Sequence, residues 1–222
     1  MISENMISRK DIEEWIEDIG NIIVDLNISI QNAERLTEDK FEFENQLKKH
    51  GFFQHHWYQL RFIIIIQLCK LLSNKPNEKR SFNKLFNRLE NDKYESSLPE
   101  LLNSNKKGDI ELYKSKSEIK DHVRDLRNKI DANVNLIEKI ISLRNKVYAH
   151  KDPNSEAPLV KFEELKLLTK ISSEIYNELQ FKFFFIETHL DALNDWSIDH
   201  VLWYISELKK NDDREREKLK LE

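Results

Sequence analysis

Glycine and proline are scarce in this chain, three and four residues among 222. Strand-rich folds need frequent tight turns, and these lean on Gly and Pro as well as Asn and Asp. With Asn and Asp plentiful and the other two rare, long helices joined by few connections are favoured. A single cysteine, Cys69, excludes an internal disulfide and a cysteine-based metal cluster. Set within the apolar run 62–72, it reads as a small buried hydrophobe, and it is consistent with a reducing, cytoplasmic home. No apolar stretch approaches the length of a membrane span. The longest, Phe62 to Ile66, is interrupted by Gln67, so no membrane partner is expected. The opening MISENMISRKDIEEW has no apolar core of the signal-peptide kind.

Basic charge is not in excess either. The formal net charge is -4, which argues against a globally basic nucleic-acid binder. A local basic face stays open, because counterion release concerns the surface that meets the phosphates. A Gly-rich phosphate loop, a G-x-S-x-G elbow and an H-E-x-x-H helix are all missing. His55 and His56 are adjacent, about 100° apart on a helix, and make no natural chelate. No metal and no cofactor are expected.

What is present is helical periodicity. Charged residues make up 34% of the chain with both signs mixed, as on the solvated faces of amphipathic helices. Ser8, with Asp11 three residues on, opens a first helix carrying Ile12, Ile16, Ile19, Ile23, Leu26 and Ile30. Gly20 weakens it somewhat. Thr37-Glu38-Asp39 starts a short helix through Leu47, and Gly51 breaks the chain. Phe52 to Leu72 reads as a long central helix, apolar on more than one side. Ser81 opens a shorter helix ending near Asn91, and a single turn is expected at 99–102 behind Pro99. The longest pattern starts at Ser117 and runs through Ile119, Val123, Leu126, Ile130, Val134, Ile137 and Ile141. It ends by Asp152, because Pro153 disfavours a helical predecessor. A further helix is expected from about Lys161 to Leu190, and a last one after Ser197. The charged tail 209–222 either frays or continues as a solvated helix. With no repeat and no strong boundary, residues 1–222 read as one helical domain.

One segment carries chemistry: Leu143-Arg144-Asn145-Lys146-Val147-Tyr148-Ala149-His150-Lys151-Asp152-Pro153. It puts a permanent cation and a titratable imidazole at a helix end. Six positions separate Arg144 from His150, about 240° on an ideal helix, so they share no face. They converge if the helix loosens ahead of Pro153, or across a two-fold dimer. Such a pair suits RNA cleavage without a metal. A neutral imidazole can take the 2′-hydroxyl proton, and a guanidinium can hold two phosphate oxygens. DNA lacks the 2′-hydroxyl. The bare spacing is weak, and the competing reading is a helix-end Arg with a His that favours the dipole. Lys139, Lys146 and Lys151 are either a local positive patch or ordinary solvated charges. Tyr148 is either a packing residue or a site of modification.

The wider pattern Arg144-Asn145-Lys146-x-x-Ala149-His150-Lys151-Asp152 resembles the signature of the HEPN superfamily (higher eukaryotes and prokaryotes nucleotide-binding domains). That signature is an arginine, then a polar residue, then a histidine after four to six intervening positions. Here five intervene and Asn145 is the polar residue. The branch it is most similar to is that of AbiU-like abortive-infection proteins. The shared features are the Ala-His-x-Asp ending, the aromatic and aliphatic helix at 53–72, and the Ser-Phe-x-x-Leu start at Ser81–Leu85. The resemblance covers about Phe41 to Leu190. It implies an all-α, multi-helix bundle of HEPN type with additional C-terminal helices, paired as a homodimer with the motif at the dimer cleft. It also implies a metal-independent endoribonuclease of an abortive-infection (phage-defence) or toxin–antitoxin system. On that resemblance Arg144, His150 and Asn145 are catalytic. Asp152, holding the imidazole, is supporting, as are Tyr148, Lys146 and Lys151. The partners are an RNA substrate, a second copy of the chain and an antitoxin protein. Other HEPN proteins are not nucleases, which leaves a catalytically inactive helical interaction module as the alternative.

Overall fold

A computed structural model describes residues 7–74, 80–91, 98, 113, 115–149, 158–190 and 193–220. Helix α1, Arg9–Arg35, begins with a capping box. The Ser8 hydroxyl accepts from the Asp11 amide at 3.2 Å, and the Ser8 amide donates to the Asp11 carboxylate at 2.7 Å. The Ser8 hydroxyl, also donating to the Asp11 carboxylate at 2.7 Å, and the Ser8 amide together hold that carboxyl below its usual value. Helix α2 is Glu44–Lys48, α3 Gly51–Leu72 and α4 Phe82–Glu90. Helix α5 is Lys116–Asp131 and α6 Val134–Leu143, followed by a π-helical segment at Arg144–Ala149. Helix α7 is Phe162–Phe184 and α8 Asp199–Lys220. No β-strand occurs among the described residues, and none of their helices is long and apolar enough to cross a membrane.

The centre of the bundle is the mutual packing of α1, α3 and α7. Ile12, Ile16, Ile19, Ile23 and Leu26 of α1 meet Ile64, Ile65 and Leu68 of α3 and Leu165, Leu168, Ile175 and Leu179 of α7 in one buried cluster. Helix α4 packs on α5, and α6 closes against the C-terminal half of α3. The fold is all-α, as the composition implies.

Four local expectations need correcting. The long pattern from Ser117 is two helices, starting one residue earlier behind a Ser115 cap and broken at Ala132-Asn133. The Asn133 amide group donates to the Lys129 carbonyl at 3.0 Å, the acceptor its own backbone N–H would take in a helix. That N–H goes to Ile130 instead. The apolar stripe changes phase there: Val134 is exposed, while Ile137, Ile140 and Leu143 are buried.

Helix α2 starts at Glu44, not near Thr37, whose hydroxyl bonds back to the Glu34 carbonyl at the end of α1. Gly51 is not a break but the first residue of α3, behind an extended His50 cap. Helix α7 stops at Phe184 rather than Leu190. Phe185 takes a left-handed conformation, and the Ile186 amide reaches back to Gln180 as in a Schellman ending. The tail does not fray, since α8 continues to Lys220. The turn expected at 99–102 lies outside the described residues.

A buried ion-pair network joins α1, α2 and α8. Arg35 pairs with both Glu44 and Asp199, and also donates to the Glu38 carbonyl at 2.8 Å. Glu44 further accepts from the Lys40 amide at 2.8 Å and from Lys48 at 3.0 Å. Burial pushes the Glu44 carboxyl up, but the hydrogen bonds from Arg35, the Lys40 amide and Lys48 outweigh it and hold the group at about 2.

Candidate functional site

Three groups fix the approach to the motif. Ile137, Ile140 and Ile141 of α6 close around Leu68, Cys69 and Leu72 of α3 and Leu168 of α7. Lys139 donates to both carboxylate oxygens of Glu164, at 2.7 and 2.9 Å, tying α6 to α7. This bond holds the Glu164 carboxyl below its usual value. Lys139 is therefore spent on a helix–helix bond and is not part of a positive patch. Leu143, buried, is the last residue of regular helix.

At Arg144 the helix widens. Arg144–Ala149 form a π-helix with i→i+5 bonds, a rare arrangement that recurs at functional sites. The helix thus loosens well ahead of Pro153. Arg144 and Asn145 are half-buried and Lys146 is exposed. The Asn145 side-chain oxygen accepts from both Nε and Nη2 of Arg144, at 3.3 and 3.2 Å. One neutral amide therefore brackets one edge of the guanidinium and sets its plane without cancelling its charge. Tyr148 belongs to the π-helical segment. His150, Lys151 and Asp152 lie outside the described residues. The structure thus brings together Arg144 and Asn145 of the expected set.

Helix α3 lies beneath both ends of this segment. The π-helix packs on it directly. On the far side of the motif, the Val160 carbonyl accepts from Arg61 Nη2 at 2.6 Å, and the Phe162 ring meets Trp57 at 6.4 Å. A profile of the HEPN family AbiU2 matches residues 9–202. The chain belongs to the AbiU2 family of HEPN domains. No curated protein and no solved structure matches it. The AbiU2 match takes in α1 to α7 and the entire motif. It ends four residues into α8, so most of that helix lies beyond it.

The N-terminal half of α3 differs from what its apolarity implied. Apolarity suggested a helix buried on several sides, which holds from Ile64 to Leu72. Earlier along the helix, Phe52, His55, Tyr58, Gln59 and Phe62 are exposed. A different signal marks this face. The chain carries 40 acidic residues, yet none falls between Asn45 and Asn77, and none between Lys139 and Lys151. The two acid-free segments pack on one another. Among the described residues no three His, Cys, Asp or Glu side chains converge as a metal site requires.

Proposed function

We propose that this AbiU2-family chain is a metal-independent endoribonuclease of an abortive-infection or toxin–antitoxin type defence system. It works in the cytoplasm as a homodimer, with Arg144 and His150 of each copy at a shared cleft. The observation that carries this reading is the bracketed guanidinium. Arg144 stands at the opening of a π-helix, its plane set by Asn145, in a stretch, 139–151, that contains no Asp or Glu. A fork held in this way suits the non-bridging oxygens of a phosphodiester and the charge that builds on them during displacement. His150, six positions on, is the residue type to accept the ribose 2′-hydroxyl proton at neutral pH. Attack of that oxygen on phosphorus leaves a 2′,3′-cyclic phosphate and a 5′-hydroxyl. Lys146, Lys151, Tyr148 and Asp152 support the pair, and an antitoxin protein would hold it in check.

The test is incubation of wild type and His150→Ala with a mixed RNA pool in EDTA. Cleavage by the wild type alone supports the reading, and equal cleavage by both removes His150 from it. A second reading, a catalytically silent interaction module, is favoured by the outer face of α8. There Val201, Tyr204 and Leu208 are exposed, opposite the buried Leu202 and Ser206. It expects no cleavage by either protein and a loss of thermal stability in His150→Ala.

A further inference from the structure

Helix α8 is fixed along one side and bare along the other. The Asn32 side chain holds its start, accepting from the Ile198 amide at 2.8 Å and donating to the Trp196 carbonyl at 2.9 Å. Arg35 pairs with Asp199, Lys210 with Glu42 at 3.7 Å, and Lys209 lies over the Phe43 ring at 5.9 Å. Leu202 and Ser206, on this same side, are buried. With these ties in place the helix cannot turn its other side inward. That other side carries Val201, Tyr204 and Leu208, spaced by three and four residues, with Tyr204 61% and Leu208 63% exposed. Trp203 meets Tyr204 edge-on and widens the patch, since it too is exposed. Single exposed apolar residues are ordinary, but a contiguous row marks an interface. Beyond Asp213 the helix continues with residues 214–219 all exposed. A short stretch of helix gains little stability unless something packs on it.

The charges of α8 are segregated along its length. Residues 199–208 hold Asp199 and Glu207 and no Lys or Arg, whereas residues 209–220 hold six Lys and Arg against four Asp and Glu. We infer that the outer face of α8 is where a second copy of this chain docks, helix against helix, antiparallel and crossing near Tyr204. A two-fold axis sets a patch against itself, so the row of Val201, Tyr204 and Leu208 meets its own counterpart. The antiparallel arrangement lays the basic end of each helix along the acidic beginning of the other, and a parallel one would set like ends together. The face calls for an apolar row flanked by basic charge, and α8 itself supplies one. Tyr204 and Leu208 lie beyond the residues that the AbiU2 profile matches, so the family does not imply this contact. The inference gives the α8 face of the second reading its occupant and does not depend on RNA cleavage.

The experiment is sedimentation velocity of the full chain over a range of concentrations, for wild type, Tyr204→Ala and Leu208→Glu. Both changes lie on the solvent side, and thermal melting checks each fold. The expected result is self-association of the wild type that weakens by about tenfold to a hundredfold in each variant. It shows as one halving of the assembled mass, whatever the motif cleft contributes. A spin label on Glu217→Cys tests direction, because Cys69 is buried and stays unlabelled. Two labels, each 13 residues from the crossing, should stand about 40 Å apart in the antiparallel pair. Labels close together overturn the antiparallel arrangement. A wild type that stays monomeric overturns the docking, as do folded variants that associate like the wild type. The ribonuclease reading fails or stands separately. Mass that depends on Leu208 without wild-type cleavage of RNA keeps the α8 contact and ends that reading. Cleavage by a wild type whose mass is indifferent to Leu208 does the reverse.

Discussion

The Tyr176 ring of α7 presses on Gly20 of α1 so closely that a Cβ there would lie 3.0 Å from Cζ, with the hydroxyl nearer still. Gly20 is buried within a helix, where glycine costs about 1 kcal/mol relative to alanine. Its place is explained by the close approach of α1 and α7. Gly20→Ala should therefore lower stability despite its better helix propensity. Overpacking costs about 1–3 kcal/mol and exceeds the propensity gain. Chemical denaturation should show a net loss of about 1 kcal/mol, partly recovered by adding Tyr176→Phe. A more stable Gly20→Ala would mean that the ring swings freely into the neighbouring groove.

Arg35 and Glu44 make a second prediction. Glu44 is fully buried and Arg35 nearly so, so removing one strands the other. Glu44→Ala should cost about 3–5 kcal/mol, whereas Glu44→Gln, which keeps the shape, should cost less. The network also gives a pH signature. The Glu44 carboxyl sits at about 2 when folded, against an ordinary 4.5. A lowered carboxyl contributes stability that is complete above about 4.5 and is lost as pH falls towards about 2. The contribution is on the order of 3 kcal/mol. The stability gap between wild type and Glu44→Gln should close across that window. A gap that stays constant would show that the carboxylate charge is not what holds the network.

Which features could be read from the sequence follows from the range of the forces involved. Ser8 and Asp11 are three residues apart and bond to each other, so the start of α1 was legible from local chemistry alone. So was the isoleucine stripe behind it, because burial repeats with the helical period. The break at Asn133 was not, since the apolar spacing runs straight across it. What interrupts the helix is one amide competing with its own backbone. The end of α7 was hidden because a phenylalanine, not a glycine, takes the left-handed position. At the site, Arg144 and Asn145 are neighbours in sequence and their pairing was within reach. The packing of the π-helical segment on α3 was not, because it is a tertiary contact between segments far apart in sequence.

His122 supplies a prediction in the neutral range. Its Nδ1 lies 2.7 Å from the buried Tyr113 hydroxyl, and Nε2 faces Glu178 at 3.6 Å. Burial pushes the imidazole down and Lys182 adds to this, while Glu178 and Asp125 only partly oppose it. A histidine lowered on folding is held neutral, so its contribution is complete above about 6.5 and is lost as pH falls below that value. Wild-type melting temperature should drop more steeply than that of His122→Gln between about pH 7 and about pH 5. Parallel curves would mean that Glu178 stabilises the charged ring as well as water does.

Asn145 gives the sharpest test of the site, because its oxygen accepts from Arg144 without neutralising it. Asn145→Asp keeps the size and the acceptor but adds a charge. The new carboxylate would grip the guanidinium in a shorter, charge-assisted pair and compete with the phosphate for it. Asn145→Asp should then lose more activity than Asn145→Ala, on the order of 10²-fold against about tenfold in kcat/KM. Arg144→Lys should fall with Asn145→Asp, because an ammonium cannot hold two oxygens in one plane. If Asn145 merely packed the helix end, the order would invert: Asn145→Asp would be tolerated as the closer match in shape, and Asn145→Ala would be the damaging change. Rates on one RNA substrate, with melting temperatures to confirm folding, separate a guanidinium poised for phosphate from one that only caps a helix.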